Sequence, residues 1–281
     1  MANHIRRFTF LACISYYSIS MPLLGIIQIF NTFTKPNLNT MKYLFITLVL
    51  TSSIISAQWQ DAISGNATLD SIHQQISKFD TIEVLGPFEI TLQKGNRHKV
   101  TIVGESNLIP YVEFDVNKNK LVLRTSNNKR LHSNTDSPIQ ITVTAKEISE
   151  IYVIGSGKIS SSSSLFSKYL LLELIGSGEI QLPVKSQTVS VHITGSGHIH
   201  LHGSCKTIKG KITGSGHLHS EELKTENSFL RLTGSGQANI NCSDKLKAMI
   251  DGTADVVYTG NPKRVEISTW LGGDKYIFSE R

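Results

Sequence analysis

Val191-His192-Ile193-Thr194-Gly195-Ser196-Gly197-His198-Ile199 is the stretch that decides the fold. Its centre, Gly-Ser-Gly, occurs five times: at Gly155-Ser156-Gly157, Gly176-Ser177-Gly178, Gly195-Ser196-Gly197, Gly214-Ser215-Gly216 and Gly234-Ser235-Gly236. The first glycines stand 21, 19, 19 and 20 residues apart, and a degenerate copy, Gly252-Thr253-Ala254, follows 18 residues after the last. A period near 20 residues marks one supersecondary unit stacked on copies of itself.

The flanks say what that unit is. Two residues before the first glycine stand Val153, Leu174, Ile193, Ile212, Leu232 and Ile250, and four before it Ile151, Leu172, Val191, Gly210, Leu230 and Ala248. Between them stand Tyr152, Glu173, His192, Lys211, Arg231 and Met249. Alternation of period two is a strand with one buried face. It resumes after the corner, where Ile159, Ile180, Ile199, Leu218 and Ala238 alternate with polar neighbours. Identical residues also recur at identical phase, as Thr194, Thr213 and Thr233 do. Such ladders arise when equivalent strands lie parallel and in register, about 4.8 Å apart. A propeller blade needs about 40 residues, and no six-residue subperiod suits the left-handed hexapeptide coil. The expected fold is therefore all-β: a single-domain parallel β-solenoid, a right-handed β-helix with about 18–21 residues per coil and Gly-Ser-Gly corners. The glycines at 155, 157, 176, 178, 195, 197, 214, 216, 234 and 236 serve as structural turns, because a corner needs positive φ or leaves no room for Cβ.

Composition narrows the function. Hydrophobic residues make up 40% and charged residues 18%, and the net charge is +6. The first 57 residues carry Arg6, Arg7, Lys35 and Lys42 and no acid, so the rest holds 24 basic and 22 acidic residues. No basic stripe remains for nucleic acid. From Met41, a lysine, the apolar run Tyr43–Leu50 and the small-residue exit at Ala57 form a secretory signal peptide. Residues 41–57 are expected to leave on export, with residues 1–40 read as an upstream extension ahead of a start at Met41; the alternative for them is a membrane anchor built on the apolar stretch Phe8–Phe33. The mature chain, 58–281, is expected to be periplasmic, cell-surface or extracellular, with no membrane insertion.

Residues 58–150 follow the same template less regularly. Ile82-Glu83-Val84-Leu85-Gly86 has the phase of Ile151–Gly155, and Val100-Thr101-Ile102-Val103-Gly104 is read as its next repeat. Asn117-Lys118-Asn119 and the polar stretch Ser126–Asp136 read as loops. Only 10 residues separate Ala145 from Gly155, so the register shifts there. The segment Val265–Phe278 is expected to cap the open end of the coil.

Phe79-Asp80-Thr81-Ile82, Gly86-Pro87-Phe88-Glu89-Ile90, Ser106-Asn107-Leu108-Ile109 and the Gly-Ser-Gly-x-Ile ladder, in this order, resemble the Bacteroidetes family called putative auto-transporter adhesin, head GIN domain. The resemblance runs from about Asp61 to Ile267 and implies a secreted β-solenoid. Beyond Trp270-Leu271-Gly272-Gly273 only a short tail follows, so self-transport through a C-terminal barrel is not expected. Asp70-Ser71-Ile72 and Asp80-Thr81-Ile82 also resemble the O-glycosylation acceptor pattern of that phylum.

Several residues carry chemistry. His198, His200 and His202 alternate on one strand, and His217 and His219 repeat the phase one coil later; side chains two apart share a face. Glu179 holds the phase of His198 one coil earlier. A metal site for zinc or copper is therefore drawn from His198, His200, His217, His219 and Glu179, against a solvated outer face as the plainer explanation. Cys205 and Cys242 lie two coils apart, about 9.6 Å, beyond disulfide reach, and are expected to be free, packed thiols. Asp251 and Asp255 are the best candidates for polysaccharide cleavage. Asp251 replaces the corner threonine, and we place Asp255 one residue beyond the phase of Glu179; structural polar roles fit both better. Ser160–Ser164 is read as a flexible return, and Tyr152 and Phe229 as single exposed aromatics. The function expected from all this is a non-catalytic, adhesin-like binding or structural module with no cofactor. Its partner would be a surface glycan or protein. The alternatives are a surface metal-binding protein and a polysaccharide-active β-helix enzyme.

Overall fold

The repeating strands stack in register. In the computed structural model, which describes residues 62–126, 129–134, 139–270 and 276–278, Val153 lies beside Leu174, Leu174 beside Ile193, Ile193 beside Ile212, Ile212 beside Leu232 and Leu232 beside Ile250. The expected signal peptide and upstream extension lie outside the described residues. In chain order the strands are β1 (Ala62–Ser64), β2 (Leu69–Gln75), β3 (Thr81–Leu85), β4 (Glu89–Lys94), β5 (Lys99–Glu105), β6 (Val112–Asn117), β7 (Lys120–Thr125), β8 (Arg130–His132), β9 (Gln140–Ala145) and β10 (Glu150–Gly155). They continue as β11 (Lys158–Ser161), β12 (Leu165–Gly176), β13 (Glu179–Gly195), β14 (His198–Gly214), β15 (His217–Gly234), β16 (Gln237–Gly252), β17 (Asp255–Thr259), β18 (Arg264–Trp270) and β19 (Tyr276–Phe278). From β10 onward every pairing is parallel, and the strands make about six stacked turns of a β-solenoid.

The corner explains the glycines. Gly195 has φ +113°, a region that costs an L-residue about 1–3 kcal/mol. A Cβ there would also sit 2.6 Å from the carbonyl oxygen of Gly176. That oxygen accepts a 2.9 Å hydrogen bond from the Ser196 amide, so the ladder of backbone bonds runs through the corner without a break. The second glycine is buried, and Gly197 faces Leu174 of the coil below. At this second position the sixth coil carries Ala254, 2% exposed, while Gly252 keeps φ +110°. The unusual dihedral is therefore the stricter requirement.

The N-terminal part departs from simple succession. β3 pairs in parallel with β10 on one side and with β7 on the other; β4 likewise lies between β11 and β9. The chain enters the stack in its interior, adds the β7/β9 rung outside β3/β4, and then returns to resume at β10. The rung read at Val100–Gly104 is not a further parallel coil. Strand β5 runs antiparallel to both β9 and β2, so that β2 is the outermost strand at this end. β6 closes the other flank as a hairpin with β7, turning at Lys118 (φ +49°) and Asn119 (φ +63°), the left-handed pair that a two-residue hairpin needs. Within the long loop, β8 pairs with β1, and the buried Glu105 carboxylate accepts hydrogen bonds from the Ala67 and Asn134 amides and the Ser133 hydroxyl. Because that loop replaces a tight corner, Phe88 fits buried where later coils have the second glycine.

At the other end β18 and β19 extend the ladder as one more parallel rung, on β16 and β17 respectively. They do not fold across it, and among the described residues β18 pairs only with β16. The Ser160–Ser164 return is hydrogen-bonded: the Ser161 hydroxyl donates to Leu92 O (3.2 Å) and Ser163 O (2.8 Å).

The core is a continuous column of Ile, Leu and Val from Leu123 and Ile141 through to Val256. Cys205 and Cys242 belong to it. Cys205 pairs across the ladder with Thr225, and Thr225 with Cys242, so one coil separates the two free thiols. Burial pushes the Cys205 thiol up to about 12, against a backbone hydrogen bond that favours the thiolate. Only the thiolate attacks. We expect iodoacetamide at pH 8 to leave both positions unlabelled in the native protein and to modify both in guanidinium, as read by peptide mass spectrometry. Rapid native labelling would contradict this packing.

Candidate functional site

The outer face of the sheet that follows the corner carries two columns of side chains. The first runs Lys158, Glu179, His198, His217, Gln237, Asp255, and the second Ser160, Gln181, His200, His219, Asn239, Val257. Asp255 is thus in the phase of Glu179, not one residue beyond it. Four imidazoles meet in the middle as a two-by-two array. His198 stacks on His217 with ring centroids 5.0 Å apart, and His200 on His219 at 4.4 Å, both pairs within 5° of parallel. Along the strands the centroids are 6.3 Å (His198–His200) and 6.0 Å (His217–His219) apart. One ring nitrogen from each of His198, His200 and His219 lies within 4.8 Å of the others. The sequence-predicted set is thus together on one face. His202, beyond the array, pairs with Pro183 and Glu222.

Carboxylates flank the rings. Glu179 Oε1 is 3.8 Å from His200 Nε2, while Oε2 bridges to Lys158 Nζ at 3.3 Å. Glu221 holds one carboxylate oxygen buried and without a hydrogen-bond partner. Burial, then the charge of His198, holds His217 below the ordinary imidazole range. Burial, then His200, does the same at His219 against an upward pull from Glu221. These rings favour the neutral form, which has a free lone pair.

A second feature was not visible in the sequence. An open notch of about 760 Å³ lies where the chain passes from β9 to β10. Its walls include Asp80, Glu147, Phe166, Lys168, Tyr169 and Gln187. Phe166 and Tyr169 are 51% and 61% exposed. The cause is local: the link Lys146–Ser149 is far shorter than the return arm of a later coil, so the first half of β12 pairs only with β13. The ten-residue spacing from Ala145 to Gly155 was the trace of this gap. Lys94 Nζ sits 4.6 Å over the Phe166 ring and Lys168 Nζ 5.6 Å over Tyr169.

Other candidates are less available. The Tyr152 hydroxyl donates to Glu150 Oε2 at 2.9 Å, and burial together with that carboxylate pushes the phenol up to about 12. Thr81 is buried and bonded to Asp80, which removes it as a modification acceptor, whereas Ser71 is exposed on β2.

The family described as putative auto-transporter adhesin, head GIN domain, matches residues 78–262. The chain belongs to this family. The head GIN fold is also seen in solved structures. A putative adhesin from Bacteroides fragilis superposes with a TM-score of 0.71 at 19% identity, covering 77% of this chain and 100% of that one. A putative adhesin from Parabacteroides merdae gives 0.62 at 21% identity, and a putative lipid binding protein from Parabacteroides distasonis gives 0.66 at 19%; each covers 78% of this chain and 100% of its own. No curated protein matches the chain in sequence. No helix among the described residues is long and apolar enough to cross a membrane.

Proposed function

We propose that this head GIN chain is an exported, non-catalytic binding module that holds a cell-surface glycan in the notch beside Phe166 and Tyr169. The observation that carries this is the notch itself: two exposed rings set among carboxylates, amines, hydroxyls and an amide, where the regular coils begin. Sugar rings present apolar CH faces to aromatic rings and hydroxyls to polar side chains, and this lining offers both. Family membership supports adhesion, and the apolar run from Tyr43 to Leu50 supports export. A lipid occupant, suggested by the Parabacteroides distasonis relative, fits less well, because an acyl chain needs an enclosed apolar cavity and this notch is open and ringed by charge. An enzyme fits less well too: Asp251 precedes the sixth corner and Asp255 follows it, so they lie on different faces and not across a cleft.

The test is binding to a panel of surface polysaccharides and a panel of fatty acids by wild type and by Phe166→Ala with Tyr169→Ala. We expect glycan binding by wild type and a loss of about tenfold or more in the variant, the scale of two anchor residues. Binding to fatty acids alone, or equal glycan binding by both proteins, would overturn the proposal.

A further inference from the structure

The imidazole array has a geometry and a donor set that the glycan proposal does not use. His198 and His200 stand two apart on β14 and His219 one rung along on β15, so three side chains converge from two strands onto one point above the sheet. We propose that His198, His200 and His219 form a solvent-facing site for a divalent transition ion of the zinc–copper class, with Glu179 at its edge.

The donor chemistry selects the ion. Imidazole nitrogen suits zinc, copper and nickel, whereas calcium and magnesium call for oxygen shells. A zinc–nitrogen bond is about 2.0–2.1 Å, so two nitrogens on one ion lie about 4 Å apart or less. From 4.8 Å the gap left to close is under about 1 Å, and none of the three residues is buried. The array is bounded along both columns, by Glu179 and Gln181 on one side and Gln237 and Asn239 on the other, so it makes one site and not a continuous strip.

Two carboxylates, Glu179 and Glu221, stand beside the rings. Metal-bound imidazoles ordinarily give their second ring nitrogen to a carboxylate, which fixes the tautomer and raises ligand basicity. Glu179 Oε1 stands 3.8 Å from His200 Nε2, an ion-pair distance, while its other oxygen faces Lys158 Nζ at 3.3 Å. Glu221 lies near enough to His219 to act on it electrostatically, and its inner oxygen has no other partner. Three protein ligands leave a position open, the arrangement in which water or a partner's donor completes the shell. His217, stacked on His198, lies just outside the converging trio.

The experiment is metal uptake by the protein made without a polyhistidine tag. Equilibrium dialysis against zinc and against copper(II) is followed by elemental analysis and by copper electron paramagnetic resonance. The comparison set is His200→Gln, His219→Gln, and His202→Gln as a neighbouring control, with circular dichroism verifying each fold. We expect one ion per chain and nitrogen hyperfine coupling on copper. Affinity should fall by about 100-fold or more in His200→Gln and in His219→Gln, beyond the roughly 10- to 100-fold that supporting partners carry, and stay unchanged in His202→Gln. No stoichiometric uptake by wild type, equal uptake by all four proteins, or an oxygen-only copper signal would overturn the proposal and leave the rings as a stacked ladder.

Discussion

Gly195→Ala is expected to destabilise the protein by about 3–5 kcal/mol and to lower its melting temperature by roughly 10 °C, at about 2–4 °C per kcal/mol for a unit of this size. Two costs add. The backbone at φ +113° is held against the preference of any residue with a Cβ, worth about 1–3 kcal/mol. The new methyl would also stand 2.6 Å from Gly176 O, which is backbone and cannot rotate away. Moving that carbonyl weakens the bond it accepts from Ser196 and disturbs a ladder shared with the coils on both sides. Gly197→Ala is expected to cost less. Its backbone is not held at positive φ, so a Cβ that would meet Leu174 Cδ2 at 2.5 Å and Gly178 O at 2.8 Å brings a steric cost without the dihedral one. The sixth coil already tolerates alanine at that position. Thermal denaturation of the two variants beside Ser196→Ala checks the order, with the exposed serine close to neutral.

Phe79→Ala is expected to cost a similar amount, about 3–5 kcal/mol for a fully buried aromatic, but to be felt elsewhere. Phe79 is 0% exposed and meets the edge of the His98 ring at 4.9 Å in the N-terminal end structure. In a solenoid each rung contacts mainly its neighbours, so stability propagates along one axis and not through a common centre. Hydrogen exchange should therefore accelerate first in β2, β5 and β9, while amides of β14 and β15 keep their protection. Uniform acceleration across all strands would show that the end and the coils unfold as one.

The coil from Ile151 onward was legible because its repeat satisfies three demands at once: period-two burial, positive φ at the corner and in-register identity. His198 over His217 and His200 over His219 followed from register alone, without side-chain coordinates. The N-terminal half was harder for a physical reason. Val100–Gly104 has the same apolar phase as a coil strand, but period-two alternation carries no information about strand direction. Its antiparallel pairing depends on the long Ser126–Asp136 connection, which lets β9 insert between β4 and β5. The notch was hidden for a related reason. It is made by what the Lys146–Ser149 link omits, and nothing in the sequence around Phe166 and Tyr169 marks that their neighbour is missing.

The proposed meeting place of this protein and its partner is the notch beside Phe166 and Tyr169. Thermal shift with increasing surface polysaccharide tests it most directly, since only binding to the native state raises the melting temperature, in proportion to ln(1 + [L]/Kd). We predict a dose-dependent rise for wild type that disappears in the Phe166→Ala, Tyr169→Ala protein. A flat profile for wild type, or the same rise in both, would contradict it.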